Sequence, residues 1–228
     1  SGILQLLFNA ADIIVVGRFT GSQALAAVGS TSALINLLIN IFVGLSVGVN
    51  VLVGKYYGAR QDKNISETVH TAMLTSLLSG LALVVLGLTA AKPMLRLMGT
   101  PDDVLDQAIL YMRIYFLGMP VVMIYNFGAA ILRAVGDTRR PLYYLFAAGV
   151  VNVILNLTFV VGFGRGVDGV AWATVISEHI SAFFIVKSLM EAPGPLKLEL
   201  KKLRIVPGKL KRILKVGLPA GIQGAVFS

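Results

Sequence analysis

The stretch AGVVNVILNLTFVV, Ala148 to Val161, places two carboxamides one helical turn apart in a segment otherwise suited to lipid. From Pro141 to Gly164 there is no Asp, Glu, Lys or Arg. A helix over this stretch can cross the hydrocarbon core of a bilayer, which needs about 20 apolar residues. Asn152 and Asn156 stand at i and i+4 and so project from one face of that helix. Facing hydrocarbon, each amide would cost several kcal/mol unless partnered, so the face is expected to turn inward, toward other helices or a wet cavity.

Working outward, the same charge-free pattern recurs over Ser22–Gly54, Thr68–Ala91 and Ile114–Leu132. Hydrophobic residues make up 56% of the 228 and the mean hydropathy is +0.81, above the roughly 45–50% apolar content of soluble domains. The fold class expected is all-α, a polytopic transmembrane helix bundle. The formal net charge of +9 does not point to nucleic acid, because the cations alternate in number from loop to loop. Fifteen of the 20 Lys and Arg fall at one end of the crossings: Lys55, Arg60 and Lys63, then Arg133, Arg139 and Arg140, then nine from Lys187 to Lys215. The opposite loops carry four: Arg18, Lys92, Arg96 and Arg165. This is the positive-inside asymmetry, and it assigns the connector after the sixth crossing to the cytoplasm of a multi-pass protein in the cell inner (plasma) membrane. There is no cysteine, so disulfides and thiolate metal sites are excluded.

In chain order, GILQLLFNAADIIVV brings Gln5, Asn9 and Asp12 onto one helical face. An ionisable residue inside a span is by default a functional-site candidate, since burying it costs at least ~2.5 kcal/mol. In the second crossing, Ala24 to about Tyr57, Gly44 and Gly48 mark a face of close helix approach, and Asn36 and Asn40 read as interhelical hydrogen-bonding groups, with cavity lining as the alternative. The third crossing, about Ser66 to Ala91, reads as bundle wall, with His70 as an interfacial residue. The outer connection Lys92 to Asp106 suggests a short surface helix ended by Gly99 and Pro101. The fourth crossing, about Leu105 to Ala134, is expected to kink at Pro120, with Asn126 beyond the kink. Gly164, Gly166 and Gly169 have GxGxxG spacing but follow a membrane helix, not a strand, so no dinucleotide site is read there. The sixth crossing carries Thr174 and Glu178 on one face, with Glu178 near mid-span as a second buried-carboxylate candidate. The connector 191–208 contains Pro193, Pro195, Pro207 and the basic run KLELKKLRI, a composition that lies well on anionic headgroups. Gly221, Ile222 and Phe227 echo Gly2, Ile3 and Phe8, a hint of a second copy of the unit. The expected organisation is a six-helix lobe over 1–190 with its first helix partial, a linker over 191–208, and the start of a second lobe over 209–228. Both ends read as cut.

NAADIIVVGRFTG, LRAVGDTRRP, and NVILN followed by GVDGVAWATVIS together resemble the multidrug and toxic compound extrusion (MATE) family of cation-coupled exporters. The resemblance runs from Ile3 to Ser228 and corresponds to the N-terminal six-helix lobe of a 12-helix transporter plus the start of the seventh helix. It implies alternating access between two lobes, with Na⁺ or H⁺ flow driving export of amphipathic, often cationic compounds, and the second lobe of the same chain as the opposite wall. It also implies that Asp12 is the family's first-helix carboxylate, surrounded by Asn126, Asn152, Asn156 and Thr174. Some relatives carry a carboxylate where this chain has Asn156, which leaves Glu178 as the candidate second acid.

One carboxylate with several neutral oxygens suits a hard cation, and a dry carboxyl can equally load and release a proton. Asp12, Asn152 and Asn156 are therefore the expected site for Na⁺ if the coupling ion is Na⁺; no other cofactor is expected. The expected partners are a small amphipathic substrate and the lipid bilayer, with no nucleic acid. A flippase for lipid-linked saccharides is the alternative within transporters, and it would want a cationic cavity. A channel or non-transporting membrane scaffold is the alternative outside them. An enzyme is not expected, as no nucleophile and base pair, metal cluster or phosphate loop has a suitable context.

Overall fold

The computed structural model describes residues 10, 11, 13–15, 18 and 21–227. Seven helices organise it: α1 Ser22–Gly58, α2 Asp62–Leu97, α3 Asp102–Leu117, α4 Met119–Ala134, α5 Arg139–Asn156, α6 Val167–Met190 and α7 Pro207–Phe227. No strand occurs among the described residues. α1, α2, α6 and the unit formed by α5 with the turn that follows are each long and apolar enough to cross a membrane, and α3 with α4 forms a further span bent by 48°. The four charge-free blocks from Ser22 onward, with the Glu178-bearing segment after them, thus become five crossings. The first expected crossing, including Gln5, Asn9 and Asp12, lies largely outside the described residues.

α1 has 37 residues, about 55 Å at 1.5 Å per residue. That exceeds the ~30 Å hydrocarbon core, so its ends reach beyond it. Its glycines do what small residues do where no hydrophobic force draws helices together: they let backbones touch. Cβ atoms on Gly44 and Gly48 would collide with the α7 backbone at Gly221 and Ile213, and one on Gly217 would stand 2.6 Å from Leu45 Cα. The close-approach face expected from Gly44 and Gly48 is therefore the α1–α7 seam. Below it, Asn50 donates from Nδ2 to the Ala130 carbonyl of α4 at 3.1 Å.

The bend of the α3–α4 span falls at Gly118, two residues ahead of Pro120. Proline removes one backbone donor and crowds the preceding turn. α2 fits against both arms of the bend through glycines, Gly87 beneath Phe116 and Gly80 against the Pro120 backbone.

α2 continues to Leu97 straight through Pro93, which corrects the expectation of a separate surface helix over Lys92–Asp106. Ala91 and Leu95 are buried on either side of Pro93. The packing of these side chains holds the helix across the missing N–H. Gly99, at φ +76°, then ends it.

α5 pairs with α6, where Tyr144 OH lies 2.6 Å from Ser188 Oγ and its ring stacks on Phe184 at 5.2 Å. Much of α5 faces outward, with Tyr143, Phe146, Val150 and Ile154 exposed. Its buried residues are Pro141, Ala148, Gly149, Asn152 and Asn156. A helix whose apolar side chains face out and whose amides face in is the pattern of a lipid-bathed helix with an inward polar face. After Asn156 the chain widens into a π turn over Leu157–Gly162, a distortion that commonly accompanies functional sites.

Candidate functional site

The inward faces of α1, α3, α4, α5 and α6 enclose a cavity of about 260 Å³. α5 contributes Ala148, Gly149 and Asn152; α6 contributes Thr174, Ser177, Glu178 and Ser181, spaced at three to four residues along one face. Asn126 comes from α4, Tyr111 and Tyr115 from α3, and Asn36 and Asn40 from α1. Asn36 and Asn40 thus line the cavity, the alternative to the favoured reading of helix-to-helix hydrogen bonding. Their i, i+4 spacing puts them on one face in either case, and only the packing of α1 against α3 and α4 decides what that face meets.

Several of the polar groups are held by their own helices. Asn126 Nδ2 donates to the Val122 carbonyl at 2.8 Å, Thr174 Oγ1 to Val170 at 3.1 Å, and Ser177 Oγ to Thr174 at 2.8 Å. The side-chain carbonyl of Asn126, having no part in its bond, remains an acceptor. Asn152 is 7% exposed, and its Oδ1 is buried with no hydrogen-bond partner among the described residues. Leaving such an oxygen unmatched costs about 1–3 kcal/mol. An uncompensated carbonyl oxygen in a wall that also carries a carboxylate offers an acceptor to a donor or a cation.

Among the residues lining this cavity Glu178 is the one with an ionisable carboxylate, and none is Lys, Arg or His. The cavity therefore favours positive over negative occupants. A neighbouring cavity of about 200 Å³ shares Asn36, Tyr111 and Tyr115 with it and is also lined by Ile13, the residue after Asp12 in the chain.

Four of the six expected site residues, Asn126, Asn152, Thr174 and Glu178, thus converge on one cavity. Asn156 is fully buried at the junction of α5 with the π turn and does not line it. Asp12 lies outside the described residues. Of the trio expected to hold Na⁺, Asn152 alone is placed on the cavity wall. Among the described residues no group of three or more His, Cys, Asp or Glu could hold a metal ion. Tyr111, Tyr115, Ser177 and Ser181 were not anticipated, although Ser181 follows Glu178 at i+3 and Ser177 follows Thr174 at i+3, spacings that mark a shared inward surface.

The MatE family model matches residues 1–158. The chain belongs to the MatE family. Over 235 residues it is 33% identical to the probable multidrug resistance protein YoeA of Bacillus subtilis, a match that covers 100% of this chain and 51% of that protein. This MatE chain spans about half the length of the curated relatives it matches. Two solved structures of a multidrug resistance MATE family transporter, one inward-facing and one outward-facing, each superpose with a TM-score of 0.89 at 29% identity. They cover 97% of this chain and 50% and 49% of theirs. The relatives are named as transporters and not as enzymes, in agreement with the sequence reading.

Proposed function

We propose that this chain forms one lobe of a cation-coupled antiporter that exports amphipathic, cationic compounds by rocking against a second lobe. The observation that carries the proposal is the cavity: among the described residues it is lined by one carboxylate, four amides, hydroxyls and two tyrosine rings, and by no cationic side chain. Tyrosine faces attract organic cations, and the carboxylate with the free Asn152 oxygen suits a small hard cation. The same absence of cations disfavours a flippase for pyrophosphate-linked saccharides. Asp12 is assigned as the coupling carboxylate, supported by the family match over 1–158 and by the approach of Ile13 to the adjoining cavity. The ion is Na⁺ or H⁺. The basic linker end is assigned to the cytoplasm of a plasma membrane from the distribution of Lys and Arg.

Antiport requires that substrate and coupling ion displace each other. Titrating tetraphenylphosphonium into the detergent-purified protein, in weakly buffered solution with or without Na⁺, tests this. Release of protons or of Na⁺, lost in Asp12→Asn, is expected. Tight substrate binding with no release of either ion would overturn the assignment.

A further inference from the structure

At the end of the bundle opposite Gly99, a cleft of about 550 Å³ separates the first two turns of α2 from the linker, and nothing in the exporter reading uses it. Lys63 and Glu67 line it from α2, and Lys201, Lys202 and Arg204 from the linker. Four cations thus face one carboxylate. Lys202 has an exposed ion pair with Glu199 at 3.4 Å. Lys63, Lys201 and Arg204 have no ion-pair partner among the described residues. The nearby Lys209 and Arg212 are occupied elsewhere, Lys209 with Asn64 and the face of Tyr56, Arg212 with the Tyr56 hydroxyl.

The wall of the cleft is built. His70 is buried, and its Nδ1 lies 2.7 Å from the Ser66 carbonyl, which only accepts, so the proton is on Nδ1. Its Nε2 then accepts the Glu199 N–H at 3.1 Å. Thr71 Oγ1 accepts the Val206 N–H at 3.1 Å and donates to the Arg204 carbonyl at 3.3 Å. These bonds hold the linker, and with it Lys201 and Arg204, at a fixed distance from Lys63.

The depth is also fixed. The charge-free run of α2 begins at Thr68 and lasts 24 residues, to Ala91, about 36 Å of helix. That fills the hydrocarbon core and leaves Lys63 and Glu67 at headgroup level. We infer that this cleft binds the phosphate of an anionic phospholipid headgroup and so rivets the linker to α2 and to the bilayer surface. The chemistry is that of a phosphate anion among Lys and Arg donors; its depth selects the lipid as the source.

Hydrogen–deuterium exchange of the 199–206 amides tests it, with the protein in nanodiscs of phosphatidylcholine, of phosphatidylcholine with phosphatidylglycerol, or of phosphatidylcholine with added inorganic phosphate. Phosphatidylglycerol should slow exchange in the linker. Each cation removed from the triple variant Lys63→Gln, Lys201→Gln, Arg204→Gln should weaken the lipid's effect about fivefold. The charge-matched control Lys187→Gln, Lys211→Gln, Lys215→Gln, outside the cleft, should keep the full effect. No slowing by phosphatidylglycerol, or equal loss in both triple variants, would overturn the site. Equal slowing by inorganic phosphate alone would overturn the lipid as its occupant.

Discussion

Glu178 rests against Gly118: a Cβ on Gly118 would stand 2.8 Å from Glu178 Oε2 and 3.1 Å from Val175 Cγ2. The carboxylate of the cavity therefore touches the bend of the α3–α4 span at the residue where that span breaks. A side chain at this position would force the end of the Glu178 side chain and the Val175 methyl to give way, so the bend and the carboxylate are in steric contact.

Gly118→Ala is accordingly expected to destabilise the protein by about 1–3 kcal/mol, the usual cost of overpacking. Glu178→Ala in the Gly118→Ala background should recover much of that loss, because it removes the clashing atom. Thermal unfolding of the two single variants and the double variant measures the coupling. Strictly additive effects would show that the two residues do not press on each other.

Asn152→Leu separates function from stability. It removes a buried oxygen without a hydrogen-bond partner, so folding stability should hold or rise by up to about 1–3 kcal/mol. Transport should fall, since Leu offers no ligand and narrows the cavity. A stability loss with transport retained would mean that Asn152 serves packing alone.

Thr71→Val keeps the shape of the side chain and deletes the hydroxyl that bonds both Arg204 and Val206. The Val206 amide loses its acceptor, at a cost of about 1–3 kcal/mol. Its hydrogen exchange should accelerate correspondingly while the α2 core amides stay protected. Unchanged exchange at Val206 would contradict the docking of the linker on α2.

Gly217→Leu addresses the α1–α7 seam. Its new side chain would meet the Leu45 backbone and the Gly44 carbonyl, at 2.6 and 3.1 Å from the Cβ. Backbone cannot step aside as a flexible side chain can, so the seam should open and the melting temperature in detergent should drop. A melting curve like that of the parent would place the seam's stability elsewhere.

The crossings from Ser22 onward were legible because charge is expelled from the bilayer core, a rule strong enough to override local propensity. The small-residue face at Gly44 and Gly48 and the inward turn of Asn152 follow from the same solvent physics. Pro93 and Pro120 show that one local signal has two outcomes. The first lies within a helix held by buried Ala91 and Leu95, while the second kinks its span as expected, the break falling at Gly118 just ahead of it. Asn36 and Asn40 were placed on the correct face, but whether that face meets a helix or a cavity depends on packing that no single segment encodes. His70 is a comparable case. It looks interfacial in sequence, yet it is buried beneath a linker more than 120 residues away in the chain. The π turn over Leu157–Gly162 has no proline, and its Gly162 stands at the far end, so no local signal announces it.

The central claim is that cation flow drives export through this lobe, and proteoliposomes holding the full-length protein test it most directly. Efflux of a fluorescent organic cation would be followed under a Na⁺ gradient and under a pH gradient, each imposed alone. The account predicts efflux that follows one gradient and vanishes in Asp12→Asn with the protein still folded and inserted. Efflux driven by neither gradient, or undiminished in Asp12→Asn, would contradict it.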